Sequence, residues 1–175
     1  VRADRKEAIA APPARVEKEG MGRFSRQEIE EAFENYQRVA LRAGTTGDWD
    51  AWADLFTEDA TYVEHAFGTL GGREAIRRWI TTTMAQPPNA QMRYYPVEWY
   101  VIDEDRGWVV AGIQNRMEDP GDGRVYQAIN FSLLKYAGNG RWSYEEDIYN
   151  PLRFSKMIQA WQAHRAELGS GSRSS

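Results

Sequence analysis

The chain has 175 residues, 42% hydrophobic and 13% aromatic, enough for one sizeable core and too few for a second comparable domain. Lys and Arg number 22 against 26 Asp and Glu, a formal net charge of -4 with no basic stripe, which argues against nucleic acid because phosphate binding needs clustered cations. Cysteine is absent, which excludes disulfides and thiolate chemistry, and the 2 histidines, His65 and His164, make no zinc pattern, so no metal or cofactor is implied and a cytoplasmic location is compatible.

Residues 1–24 read as a charged, mobile leader, since "VRADRKEAIAAPPARVEKEG" lacks the apolar run of roughly 7–15 residues that a secretory signal carries. No window reaches the ~18 consecutive apolar residues of a membrane span, so no membrane partner is expected. The folded unit is placed at 25–168, with 169–175 as a flexible tail. Within it, Ser25 and Glu28 form an S-x-x-E capping box ahead of Ile29, Phe33, Tyr36 and Ala40, one face of a helix reaching about Ala43. Asp48 is the expected cap of a short helix that points Trp49, Trp52 and Phe56 inward. "ATYVEHAF" reads as a strand ended by Gly71 and Gly72. "REAIRRWITTTM" reads as a helix with Ile76, Trp79, Ile80 and Thr83 on one side, stopped by "QPPN".

From Met92 the hydrophobic period changes. "MRYYPVEWYVI", "WVVAGIQNRM", "RVYQAINFSLLKY" and "RWSYEEDIY" predict four long strands, joined by the turn-forming "DEDRG", "EDPGDG" and "AGNG" into an antiparallel meander. Pro96 marks a bulge or an edge position. Asn150 and Pro151 open a last helix with Leu152, Met157, Ile158 and Trp161 on its apolar face. This order predicts an α+β fold: a cone-shaped, strongly curved antiparallel sheet with three to four helices over its concave face. A cone of this kind encloses a pocket.

The run "GDWDAWADLFTEDATYVE", followed by "GGREAIRRW", resembles the signature of SnoaL-like proteins of the nuclear-transport-factor-2-like superfamily, and the resemblance extends from Ser25 to about Ala166. It implies the cone fold and leaves the activity open among isomerases, dehydratases, epoxide hydrolases, polyketide cyclases, dioxygenase small subunits and non-catalytic binding modules. By resemblance to ketosteroid isomerases, Glu64 falls on the carboxylate that abstracts the proton and Tyr36 on a first-helix tyrosine, while Ser132 stands where they carry an acid. "GRWSYEEDIYNPL" resembles the end of limonene-epoxide hydrolases, which puts Asp147 on a catalytic Asp and Tyr62-x-Glu64 on their Tyr-x-Asn. Their Arg-x-Asp pair has no counterpart here; Gln114 or Asn115 sits near the place of that Asp.

Strand alternation sorts these residues independently of the resemblance. Tyr62 and Glu64 share a face with His65 opposite, and Ala128, Asn130 and Ser132 share another. On the last strand Asp147 keeps company with Ser143, Glu145 and Tyr149, leaving Trp142, Tyr144 and Ile148 as an apolar outward face that calls for a second copy, hence a homodimer. A carboxylate inside an aromatic cone is costly unless it is paired or protonated, so the Glu64 carboxyl is expected to be raised toward neutrality, the alternative being an ion pair with Arg73 or Arg153. The expected catalytic set is Glu64 moving a proton, with Tyr62 and Asp147 orienting it or supplying the acid; the expected ligand-binding set is Asn130, Ser132, Tyr36, Gln114 and His65. The ligand is expected to be a small, neutral, largely apolar molecule. The expected function is cofactor-independent acid/base catalysis of isomerase, dehydratase, cyclase or epoxide hydrolase type, the alternative a non-catalytic ligand-binding or dimerisation module.

Overall fold

The computed structural model describes residues 23–171, so nearly all of the stretch read as a leader, and residues 172–175, lie outside the described residues. In chain order the elements are α1 (Arg26–Thr46), α2 (Asp50–Ala53), β1 (Phe56–Glu64), β2 (Gly68–Gly71), α3 (Arg73–Met84), β3 (Met92–Tyr94), β4 (Val97–Asp103), β5 (Trp108–Met117), β6 (Gln127–Gly138), β7 (Arg141–Tyr149) and α4 (Pro151–Gly171). The strands form one 7-stranded sheet in the order β2-β1-β7-β6-β5-β3, with β4 also on β5. The first long strand is thus two short ones, interrupted around Pro96, which has no N–H to give to a ladder. Among the described residues no helix is long and apolar enough to cross a membrane.

The sheet is mixed, which corrects the expectation of a purely antiparallel one. Consecutive strands joined by hairpins must run antiparallel, but β1 is separated from β7 by five other strands and α3, and the two pair in parallel. β2, which the glycine-rich sequence hid, pairs antiparallel with β1 across the turn His65–Phe67.

Ser25 caps α1 as expected, its Oγ accepting from Glu28 N at 3.1 Å. The Glu28 carboxylate, however, accepts from Tyr136 OH at 2.9 Å and ties the helix to β6. The helix runs on to Thr46, where Gly47 in the left-handed region (φ 81°) donates to Ala43 O at 2.7 Å. Asp48 is not the cap of α2: Trp49 holds that position, α2 is a single turn, and Phe56 already belongs to β1.

The apolar stripe of α1, with Trp49, Trp52, Phe56, Ile76 and Ile80, packs on the inner face of the sheet in one core. Trp142 is part of it and fully buried, contrary to its expected outward position. The pairing of β6 with β7 shifts between Lys135↔Tyr144 and Tyr136↔Trp142, leaving Ser143 as an extra residue, and this bulge reverses the alternation on its N-terminal side.

The last helix, α4, starts as predicted, Asn150 Oδ1 accepting from Leu152 N at 3.0 Å. It runs through Gly171, beyond the expected boundary at 168. Met157 and Trp161 bury against Met92, Met117 and Ala128, while Leu152 is 72% exposed rather than on the packed face.

Gly44 exposes how tightly α1 sits on the sheet. A Cβ there would lie 2.3 Å from the backbone oxygen of Arg93 in β3. Alanine is the better helix former by about 1 kcal/mol, yet Gly44→Ala must push helix and strand apart. The expected outcome is a net loss of about 1–3 kcal/mol, measured by chemical denaturation.

Candidate active site

The cone encloses a cavity of about 180 Å³. For scale, an apolar cavity of about 150 Å³ is large enough for benzene. Trp49, Trp52, Trp79, Met92 and Tyr95 wall it, and its polar floor comes from the inward positions of β1, β6 and β7 together with Tyr36 of α1. Register does the assembly. The parallel pairing sets Tyr62 beside Glu145 and Glu64 beside Asp147, and the antiparallel pairing sets Ser132 opposite Asp147 and Asn130 opposite Tyr149. Because alternate residues of a strand share a face, three strands contribute Tyr62 and Glu64, Asn130 and Ser132, and Glu145, Asp147 and Tyr149 to one interior.

Asp147 accepts three side-chain hydrogen bonds. Its Oδ1 accepts from Asn130 Nδ2 and from Ser132 Oγ, each at 2.6 Å, and its Oδ2 accepts a very short bond from Tyr62 OH. Burial raises its pKa, the three donors work against that rise, and the charge of Glu64 adds to it.

Glu145, 1% exposed, is supported differently. Tyr36 OH donates to its Oε1 at 2.7 Å, while Oε2 has no partner. Burial pushes its carboxyl well above the ordinary range, and the neighbouring charge of Asp147 pushes it further. Tyr36 and Tyr62 are likewise raised well above an ordinary phenol, first by burial and then by the adjacent carboxylates.

Glu64 lines the cavity, but both of its oxygens are engaged. Oε1 accepts a very short bond from Tyr149 OH; Oε2 accepts from the backbone N–H groups of Ala66 and Phe67 at 2.7 and 2.9 Å, closing the β1–β2 turn. Neither anticipated arginine meets it: Arg73 Nε donates instead to Phe56 O at 2.8 Å.

Of the residues expected from the sequence, Tyr36, Tyr62, Glu64, Asn130, Ser132 and Asp147 come together on this lining. His65 and Gln114 do not, and both are corrections. His65 projects to the surface and pairs with Glu146 at 3.0 Å, being one residue out of phase with Glu64. Gln114 donates to Glu98 at 2.8 Å on the outer side of the sheet, and its neighbour Asn115 takes the inward place. Glu145 and Tyr149 were missed as site residues although their spacing from Asp147 put them on its face. Among the described residues no group of three or more His, Cys, Asp or Glu side chains is arranged to hold a metal ion.

No curated protein matches the sequence significantly. Among solved structures, an epoxide hydrolase of the LEH-like type from M. tuberculosis is 12% identical, with 82% of this chain and 93% of that one covered at a TM-score of 0.58. SalBIII, an epoxide hydrolase/cyclase-like enzyme of pyran ring formation in salinomycin, is 18% identical over 73% of this chain and 94% of its own, with a TM-score of 0.56. A protein of ketosteroid isomerase-like fold from Catenulispora acidiphila, in complex with trimethylamine, is 23% identical over 72% and 88% of the two chains, with a TM-score of 0.52. At such identities these structures establish the fold. The model of the SnoaL-like domain matches residues 33–144, from the middle of α1 into β7, and the chain therefore belongs to the SnoaL-like family.

Proposed function

We propose that the chain is a cofactor-independent acid/base enzyme acting on a small, largely apolar molecule held in the cone. The observation that carries this reading is the unequal support of two buried carboxyl groups two residues apart on one strand. Asp147, held by three donors, suits an ionised base; Glu145, with one donor and a free Oε2, suits a protonated acid. Neighbouring carboxyls whose environments separate their pKa values divide the two roles of proton transfer between them. In this reading Tyr62, Asn130 and Ser132 fix the base and Tyr36 fixes the acid. Glu64 passes from proton carrier to support, because its oxygens hold Tyr149 and the β1–β2 turn. Isomerisation, dehydration, cyclisation and epoxide opening all require this pair of functions, and the epoxide hydrolase and cyclase among the structural neighbours support that range.

We further propose that the protein is a homodimer through the outer face of the sheet. Trp99, Phe131 and Ile148 form a row across β4, β6 and β7, with Gly112 between the first two. The rings of Trp99 and Phe131 lie 5.8 Å apart, and all three side chains are exposed. Trp142, expected in this face, lies in the core, and Phe131 and Trp99 take its place. Sedimentation is expected to show a dimer that Phe131→Lys converts to monomer; a wild-type monomer at all working concentrations removes the proposal.

With a turnover assay on a panel of small epoxides and unsaturated ketones, Asp147→Asn is expected to lower the rate by about 10²–10⁴-fold. Glu64→Gln is expected to keep the rate within about tenfold of wild type and instead lower stability by about 1–3 kcal/mol, since an amide cannot accept all three bonds. Losses of rate in the opposite order would return the proton to Glu64.

The raised carboxyl of Glu145 has a definite sign in stability. The folded state holds that proton more tightly than the unfolded chain, so the stabilisation is complete below the ordinary carboxylate range and is lost as pH rises through the raised value. Wild-type melting temperature is therefore expected to decline relative to that of Glu145→Gln as pH is raised from the ordinary carboxylate range. Parallel curves would exclude the protonated assignment.

A further inference from the structure

We propose that the ligand of the cavity carries a protonated amine on its apolar, ring-sized body. This rests on reading the cone as a small-molecule site and goes beyond it by fixing the charge of the molecule. No Arg, Lys or His is among the described residues that line the cavity, whereas Glu64, Glu145 and Asp147 all are. A neutral ligand that displaced water from this space would leave ionised carboxylates less compensated than before, and an anionic one would add repulsion; only a cation is stabilised by both the charges and their poor solvation.

Hydrogen-bonding capacity points the same way. Three buried polar atoms of the described lining have no partner: Asn130 Oδ1, Glu145 Oε2 and Trp79 Nε1. Asn130 is 7% exposed and spends its amide N–H groups on Asp147 and Ser132, so its carbonyl oxygen is a fixed acceptor awaiting a donor. An ammonium N–H reaching Asn130 Oδ1 lies beside the Asp147 carboxylate, to which the same amide is bonded at 2.6 Å. That placement leaves Glu145 Oε2 for the reacting end of the molecule. Trp79 Nε1, a donor, is matched by an oxygen on the ligand.

The walls complete the case. Trp52, Tyr62, Trp79 and Phe67 form a continuous aromatic surface, with successive ring centroids 6.0, 4.9 and 6.0 Å apart. Aromatic faces attract ammonium groups, most strongly where water is excluded. The Asp147 carboxylate and the unpaired Asn130 Oδ1 on the floor, with aromatic rings on the walls and no cation among the described lining residues, make a receptor for an organic ammonium ion.

The test is isothermal titration calorimetry at neutral pH and low salt with three probes of one shape: benzylamine, benzyl alcohol and benzoate. The amine is expected to bind at least about tenfold more tightly than the alcohol, with benzoate weakest, and Asp147→Asn is expected to erase the preference for the amine. If Asp147→Asn does not fold, the order of the three probes on the wild-type protein decides alone. Benzyl alcohol binding as tightly as benzylamine overturns the inference while leaving the acid/base reading in place. Failure of all three probes to bind overturns both.

Discussion

Three carboxyl groups share the interior of one small cone, and among its described lining residues there is no cation to balance them. This is the constraint around which the rest of the molecule is arranged. Removing a carboxylate from water is prohibitive unless donors replace the lost solvent. The protein meets the requirement with phenols. Glu145 receives Tyr36 from α1, Asp147 receives Tyr62 from β1, and Glu64 receives Tyr149 from β7, so that each acid has its own tyrosine. A tyrosine supplies a hydrogen bond without a formal charge, and its ring contributes to the apolar wall. The carboxyls consequently keep raised proton affinities, at Glu145 and Asp147, that an arginine partner would have suppressed.

The phenols serve only if they cannot turn away, and the packing sees to that. Tyr36 lies between Phe33, Trp52 and Trp142, at centroid separations of 6.0–6.3 Å, and Tyr62 between Trp52, Phe56 and Trp79 at 4.9–6.0 Å. Edge-to-face and tilted contacts of this kind fix ring orientation as well as burying area. The aromatic content of the chain is therefore connected to the acids by a direct mechanical route: tryptophans hold tyrosines and tyrosines hold carboxyls. Backbone pairing supplies the other half of the precision, because the parallel β1–β7 register brings Tyr62 within reach of Asp147 and Tyr149 within reach of Glu64.

Much of this was legible in the sequence, and the boundary of legibility is physical. Helical periodicity revealed the buried stripe of α1, and strand alternation put Tyr62 with Glu64 and Asn130 with Ser132, because both signals are local. Pairing partners are not local. That β1 lies parallel to β7 follows from closure of the whole sheet, and nothing near Phe56 or Arg141 encodes it. Bulges defeat alternation in the same way: the extra residue at Ser143 turned Trp142 from the surface into the core, although Glu145, Asp147 and Tyr149 beyond it kept their phase. Glu145 shares the face of Asp147 by alternation, but the resemblance to known enzymes singles out Glu64 and Asp147 and offers nothing for Glu145. Glu64 illustrates the converse. Its position was inferred correctly, but its bonds to Ala66 and Phe67 depend on a turn whose second strand, "GTLG", carries no strand signal.

Ser132 of β6 shows how strand pairing builds the floor of the cone. Directly opposite it in the β6–β7 ladder stands Asp147, and Ser132 Oγ donates to that carboxyl at 2.6 Å. On β7 the Asp147 carboxyl has Glu145 two residues away and Glu64 across the parallel pairing. The three carboxyls on β7 and β1 meet because of where the strands pair rather than because of any one residue.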